Sequence, residues 1–155
     1  SLELLTILLK QSRYIQKYIS KISESITIFA GFPQILQPLA SKKYLAVGDA
    51  AFSVDPISGD GTEYAIRGAI LATSIIDAIA AGLSSSDCLE HYSGRLETAF
   101  AAHLQQCLEY YRNGFTSSLW QEEIERMRTA NNRWNPIKNQ QFTHTLKDFQ
   151  LVKIQ

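Results

Sequence analysis

An excess of charge of either sign is absent: 15 Lys+Arg offset 15 Asp+Glu across 155 residues. Zero formal net charge leaves no whole-chain attraction to phosphate backbones or anionic lipid, and no dense run of Lys and Arg substitutes for it. Nucleic acid is therefore not an expected partner. Long apolar runs are also missing, because the stretches around 2–9 and 65–81 are interrupted by Glu3, Lys10, Arg67 and Asp77, so no transmembrane segment is expected. The first residues carry Glu3, no basic region and no small-residue cleavage site after Leu9, which argues against a secretory signal. With only two cysteines, Cys88 and Cys107 read as reduced thiols of a cytoplasmic protein. Met127 is the only methionine, so Ser1 follows either loss of an initiator or excision from a longer chain.

What is present is a normal folding composition, 45% apolar and 19% charged, enough to bury a core. Apolar spacing predicts an amphipathic helix over 2–22, through Leu5, Leu8, Leu9, Ile15, Ile19 and Ile22. A β-branched and aromatic run at 25–30, closed by Gly31 and Pro33, predicts a strand, and 34–41 a connector. Residues 43–47 read as a short buried strand opening at Gly48 into a loop over 48–61. A helix follows over 62–81, with Ile66, Ile70, Ile75, Ile76 and Ile79 as its apolar set and small residues at Ala65, Gly68, Ala69 and Ala72. Gly82 ends it, and Asp87 with Glu90 has the form of a capping box for a helix over 87–112. A shorter helix is expected over 118–128 and a loosely ordered tail over 129–155. The expected fold is an α/β fragment, mostly helical, with one or two short strands and three to four helices. Its segments are 1–42, 43–82, 83–128 and 129–155.

Chemistry concentrates in the strand, Gly-Asp, glycine-rich loop and helix start between Tyr44 and Ile66. A carboxylate at the end of a buried strand, Asp49, suits a sugar or ribitol hydroxyl, and Gly59 and Gly61 permit close backbone approach. The first amides of the following helix, Gly61, Thr62 and Glu63, form an electropositive pole. Local physics alone favours a plain turn in which Asp49 is a cap and the glycines only shape the loop, since Gly, Asp and Pro dominate turns.

This stretch resembles the second FAD-binding motif of the class A flavoprotein monooxygenase and flavin-dependent halogenase superfamily. That pattern runs Gly-Asp-Ala-Ala, then Pro, then Gly-x-Gly, and Gly48, Asp49, Ala50, Ala51, Pro56, Gly59 and Gly61 match it in order. The wording from Asp55 to Gly59 is closer to halogenases and maturation-type flavoproteins than to aromatic hydroxylases. The resemblance implies FAD as cofactor, bound by Gly48, Asp49, Ala50, Pro56, Ser58, Gly59, Asp60, Gly61 and Thr62. Asp49 would meet the ribitol or pyrophosphate region, and the 58–61 backbone the pyrimidine edge of the isoalloxazine. It further implies the C-terminal portion of a Rossmann-like oxidoreductase acting on a small molecule or a protein side chain. Departures are Phe52 where hydroxylases commonly carry His, Glu63 where many carry Asn, and the lack of a Gly-x-Gly-x-x-Gly, which an upstream dinucleotide-binding segment would supply. No catalytic residue can be assigned. The rival readings are a non-enzymatic helical interaction module and a geranylgeranyl-reductase-like flavin reductase fragment.

Other constellations carry less. Cys88-x-x-His91 and His103-x-x-x-Cys107 have metal-like spacing, but about a dozen helical residues separate the pairs by roughly 18 Å, so no metal site is expected. A serine nucleophile elbow at Ser58 fails on Pro56, and Asp55 with Asp60 reads as loop-shaping before acid/base. Tyr92, Phe100, Tyr110, Tyr111, Phe115 and Trp120 read as core or partner surface.

Overall fold

Small residues decide how the central helix packs. In a computed structural model that describes residues 2–22, 25–27, 31–134, 137 and 140–154, α2 runs over Gly61–Ala80. It buries Gly68, Leu71, Ala72, Ser74, Ile75 and Ala78, a stripe at three- and four-residue spacing. The isoleucine pattern alone misleads, since Ile66 is 56% and Ile76 58% exposed while Ile75 is fully buried. The true buried stripe is carried largely by residues with little side chain.

Gly82 stops α2 at φ 97°, with its N–H on the Ile79 carbonyl and the Leu83 N–H on that of Ala78, each at 3.0 Å. This left-handed Schellman closure is open to glycine at little cost. Ser84 then caps α3 (Ser85–Gly114) by accepting the Asp87 N–H. The helix therefore starts two residues before the Asp87–Glu90 box suggests, because Asp87 occupies its third position. Helical spacing puts Leu89, Tyr92, Leu96, Phe100, His103, Leu104, Cys107 and Tyr111 on or near one side of α3, and all of them are buried except Leu89 and Tyr111, which are half-buried. A fourth helix, α4 (Ser118–Trp134), extends beyond the expected 118–128 and returns Trp134 to the Phe100 ring at 5.3 Å.

The chain divides into two units, 1–30 and 31–155. In the first, the expected 2–22 helix is split into α1 (Leu2–Gln11) and a 3₁₀ turn at Ile15–Tyr18. Of the expected strand over 25–30, residues 25–27 form no strand and 28–30 lie outside the described residues.

Strands are more numerous and shorter than expected, and all described pairs are antiparallel. The presumed connector holds β1 (Gln34–Ile35) and β2 (Ala40–Ser41), while 43–47 contributes only β3 (Tyr44–Leu45), paired with β2. β4 (Phe52–Ser53) pairs with β1. Within the expected tail, β5 (His144–Lys147) and β6 (Gln150–Lys153) form a hairpin in full register. Its turn uses Asp148 and Phe149 at φ 49° and 62°, without the glycine or asparagine that would have announced it. The Phe149 carbonyl accepts the Ser74 hydroxyl at 2.7 Å, fastening the turn to α2. The result is a mostly helical chain with four helices and six short strands among the described residues.

Phe149 is 70% exposed, so its ring gains little from burial to offset the left-handed backbone. Relief of about 1–2 kcal/mol of αL strain exceeds the extra unfolded-state entropy of glycine, about 0.5–1 kcal/mol. Phe149→Gly should accordingly raise the unfolding free energy from urea titration by about 0.5–1 kcal/mol; a lowered value would show that the ring contributes to packing.

Candidate functional site

The loop between β3 and α2 is built by two left-handed glycines and one buried acid. Ala46 continues the β3 pairing through its N–H to the Leu39 carbonyl at 3.0 Å, and Val47 is extended. Gly48 then turns at φ 59°, opening a 3₁₀ turn Gly48–Ala50 closed by the Ala51 N–H on the Gly48 carbonyl. The backbone there lies close to α2, so a Cβ on Gly48 would stand 3.6 Å from Ala65 Cβ. A second 3₁₀ turn, Pro56–Ser58, follows and ends at Gly59, φ 72°.

Asp55 shapes that second turn. Although 5% exposed, its carboxylate is satisfied: Oδ1 accepts the Ile57 N–H and Oδ2 the Tyr111 hydroxyl, each at 2.9 Å. The Asp55 N–H donates to His103 Nε2 at 2.8 Å, which assigns the ring proton to Nδ1. The Ser58 hydroxyl donates to the Asp55 carbonyl and accepts from the Asp60 N–H. Asp55 is thus loop-shaping, as its residue type and position suggest, and its partners lie 48 and 56 residues away on α3.

The neighbouring titratable groups are tuned by burial. Burial pushes the Cys107 thiol up to about 12, and the charges of Asp55 and Asp60 add to this, so it stays protonated and is no nucleophile. Its sulfur lies 3.3 Å from His103 Nε2, against the ring that already holds the loop. Tyr111 is likewise raised to about 12, first by burial and then by its hydrogen bond to Asp55. His103 is pushed below its ordinary value by burial, against the opposing pull of Asp55 and Asp60. Cys88-x-x-His91 and His103-x-x-x-Cys107 sit on one continuous helix, and no group of three His, Cys, Asp or Glu among the described residues could hold a metal.

The residues matched to the flavin motif divide by orientation. Asp49, Ala50, Pro56, Gly59 and Thr62 are exposed, while Gly48, Ser58, Asp60 and Gly61 are half-buried. Asp49 and Gly61 line one small cavity with Gly48, Ala65 and Tyr92; its volume is about 10 Å³, room for about one water. Asp60 precedes α2 without a side-chain cap on its amides. A ring system could therefore meet this loop only on its outer side, where the Asp49 carboxylate and the pole of α2 are presented. Phe52 faces inward, 6% exposed and edge-on to Tyr64 and Phe100, so a histidine there would enter the core.

Sequence reasoning missed Tyr111 and His103 as holders of the loop, and Tyr92, whose hydroxyl donates to the Ala46 carbonyl at 2.5 Å. The available sign was polar atoms on the apolar stripe of α3, which burial obliges to find partners. No family model, curated protein or solved structure matches the chain.

Two tests follow from this network. Tyr111→Phe leaves one oxygen of a buried carboxylate without its donor, at a cost of about 1–3 kcal/mol by urea unfolding; no loss would show that the bond contributes nothing net. His91, buried on α3 and pushed down from 6.5 to about 4 by burial, then by Arg95 and His144, gives a pH signature. Between pH 6.5 and 4 the unfolded chain takes up the His91 proton and the folded chain does not, so this term stabilises fully above 6.5 and is lost as pH falls. Relative to His91→Gln, the parent should lose stability across that window; parallel curves would refute it.

Proposed function

We propose that the chain contributes the ribitol- and isoalloxazine-side loop of an FAD-dependent oxidoreductase of the monooxygenase/halogenase type. The observation that supports this reading most is the meeting of three features in the matched stretch. Gly48 is left-handed, Asp49 is exposed just after it, and α2 begins beside both with no side-chain cap from Asp60. These residues fit the group. The Asp49 carboxylate can accept hydrogen bonds from ribitol hydroxyls, Gly59 presents backbone with nothing within 4 Å of a notional Cβ, and the α2 amides favour anionic charge.

On this reading Gly48, Asp49 and Ala50 hold the ribitol side, and Pro56, Ser58, Gly59, Asp60, Gly61 and Thr62 supply the backbone near the ring. When bound, reduced flavin supplies electrons to dioxygen, and the protein orients it and sets its electrostatics. Asp55, His103 and Tyr111 hold the loop from behind and touch no ligand. The adenine-dinucleotide half belongs to an upstream Rossmann-like segment of a larger cytoplasmic protein, and the substrate is a small molecule or a protein side chain.

The test is FAD titration followed by quenching of flavin fluorescence, on the 155-residue chain alone and on a longer protein containing it. Weak or no binding by the chain and tight binding by the longer protein are expected. Asp49→Ala, which alters an exposed side chain, should weaken FAD about tenfold or more in the longer protein, the value of a charge-assisted hydrogen bond. Undiminished flavin occupancy in that variant would overturn the assignment.

A further inference from the structure

Beside the space under the loop, and sharing Phe52, Tyr64, Gly68 and Leu96 with it, lies a second, larger hollow. It lies between α2 and α3 and is roofed by β5, with a volume of about 320 Å³, thirtyfold that of the space under the loop. That is within the range of cavities that hold small molecules, roughly 300–1,000 Å³. Its walls are apolar: Phe52, Ile70, Leu71, Leu96, Ala99 and Leu146.

The polar groups lining it are unequal in sign. Arg67 from α2 and Arg95 from α3 both line the hollow, and among the described residues no carboxylate does. Arg95 lies over the Phe142 ring at 5.0 Å and forms no salt bridge among the described residues. Arg67 pairs with Glu63 at 2.8 Å, but both side chains are more than half exposed, and such surface pairs contribute only about 0–1 kcal/mol. Its guanidinium is therefore available at little cost. His91, the remaining ionisable lining group besides Tyr64, is neutral at physiological pH because burial and Arg95 both disfavour its charge.

An apolar chamber with guanidinium groups and no counter-charge in its lining is complementary to one kind of guest. We propose that this hollow binds a small apolar carboxylic acid, its hydrocarbon body between α2 and α3 and its carboxylate on Arg95, with Arg67 as second donor. Planar guanidinium groups match the two oxygens of a carboxylate, and although Arg95 and Arg67 are both exposed, a charge-assisted bond there adds to the burial of the hydrocarbon body. The inference is independent of the flavin reading: it uses neither the outer side of the loop nor any cofactor, and either can fail without the other.

The experiment is a titration of the 155-residue chain, carrying ¹³C-labelled Ile and Leu methyls, with 3-phenylpropionate and with its uncharged amide, 3-phenylpropionamide. Saturable shifts are expected at Ile70, Leu71, Leu96 and Leu146, with the acid bound about tenfold or more tightly than the amide. Arg95→Gln should remove most of the advantage of the acid over the amide, and Arg67→Gln with Arg95→Gln all of it, while leaving the amide unchanged, which shows that the chamber is intact. Ala99→Phe, which fills the chamber, should abolish both. Absence of saturable shifts, equal affinity for acid and amide, or full retention of acid binding in Arg95→Gln would each overturn the proposal.

Discussion

The geometry of this protein depends on how a buried carboxylate is satisfied. An ionised acid removed from water costs several kcal/mol unless donors replace its hydration, and Asp55 receives one donor from its own turn and one from Tyr111. Its N–H is also spent on His103. Because both distant partners belong to α3, a 30-residue helix with eleven buried positions, the loop inherits the rigidity of the longest element in the molecule. A glycine-rich loop attached only at its two ends would sample many shapes. Tied at its midpoint, it presents Gly48 and Gly59 in fixed left-handed conformations on either side of the anchored residue.

What could be read in the sequence follows from which forces are local. The helix from Gly61 to Ala80 and the apolar side of α3 were legible because a 3.6-residue repeat and a terminating glycine act over a few residues. The loop was legible as a loop for the same reason. The hairpin at 144–153 was not, because Asp148 and Phe149 take a turn usually written with glycine, and its hold on α2 through Ser74 spans 75 residues. Of β1 to β4 only β3, inside the strand expected at 43–47, was legible; β1, β2, β4 and the pairing were equally hidden. Two-residue strands carry no period, and their existence depends on pairing partners brought near by the helices. Of the site, the candidate residues were legible and their fixation was not.

α2 has two flanks with opposite packing, and Gly68 is common to both. Toward the loop, small residues let backbone approach backbone until almost no volume is left. Toward Arg67, Ile70 and Leu71 the wider hollow persists, while Phe52, Tyr64 and Leu96 line both spaces. Close packing where Gly61, Ala65 and Gly68 face the loop therefore coexists with open volume beside the larger side chains along a single helix.

The two acids of the loop show the same division in electrostatic form. Asp49 and Asp55 are six residues apart and chemically identical, yet one is exposed and the other 5% exposed with its oxygens occupied. A buried carboxylate whose two oxygens are turned to Ile57 and Tyr111 is out of a ligand's reach, so its contribution is to shape. A carboxylate standing in solvent contributes little to the fold, since water satisfies it equally well in the unfolded chain, and its acceptors remain available. On the flavin reading proposed above, stability and recognition fall to different residues of one loop. Substitution at the outward acid leaves the scaffold in place, whereas substitution at the inward acid must disturb the turn that precedes Gly59 and everything it positions.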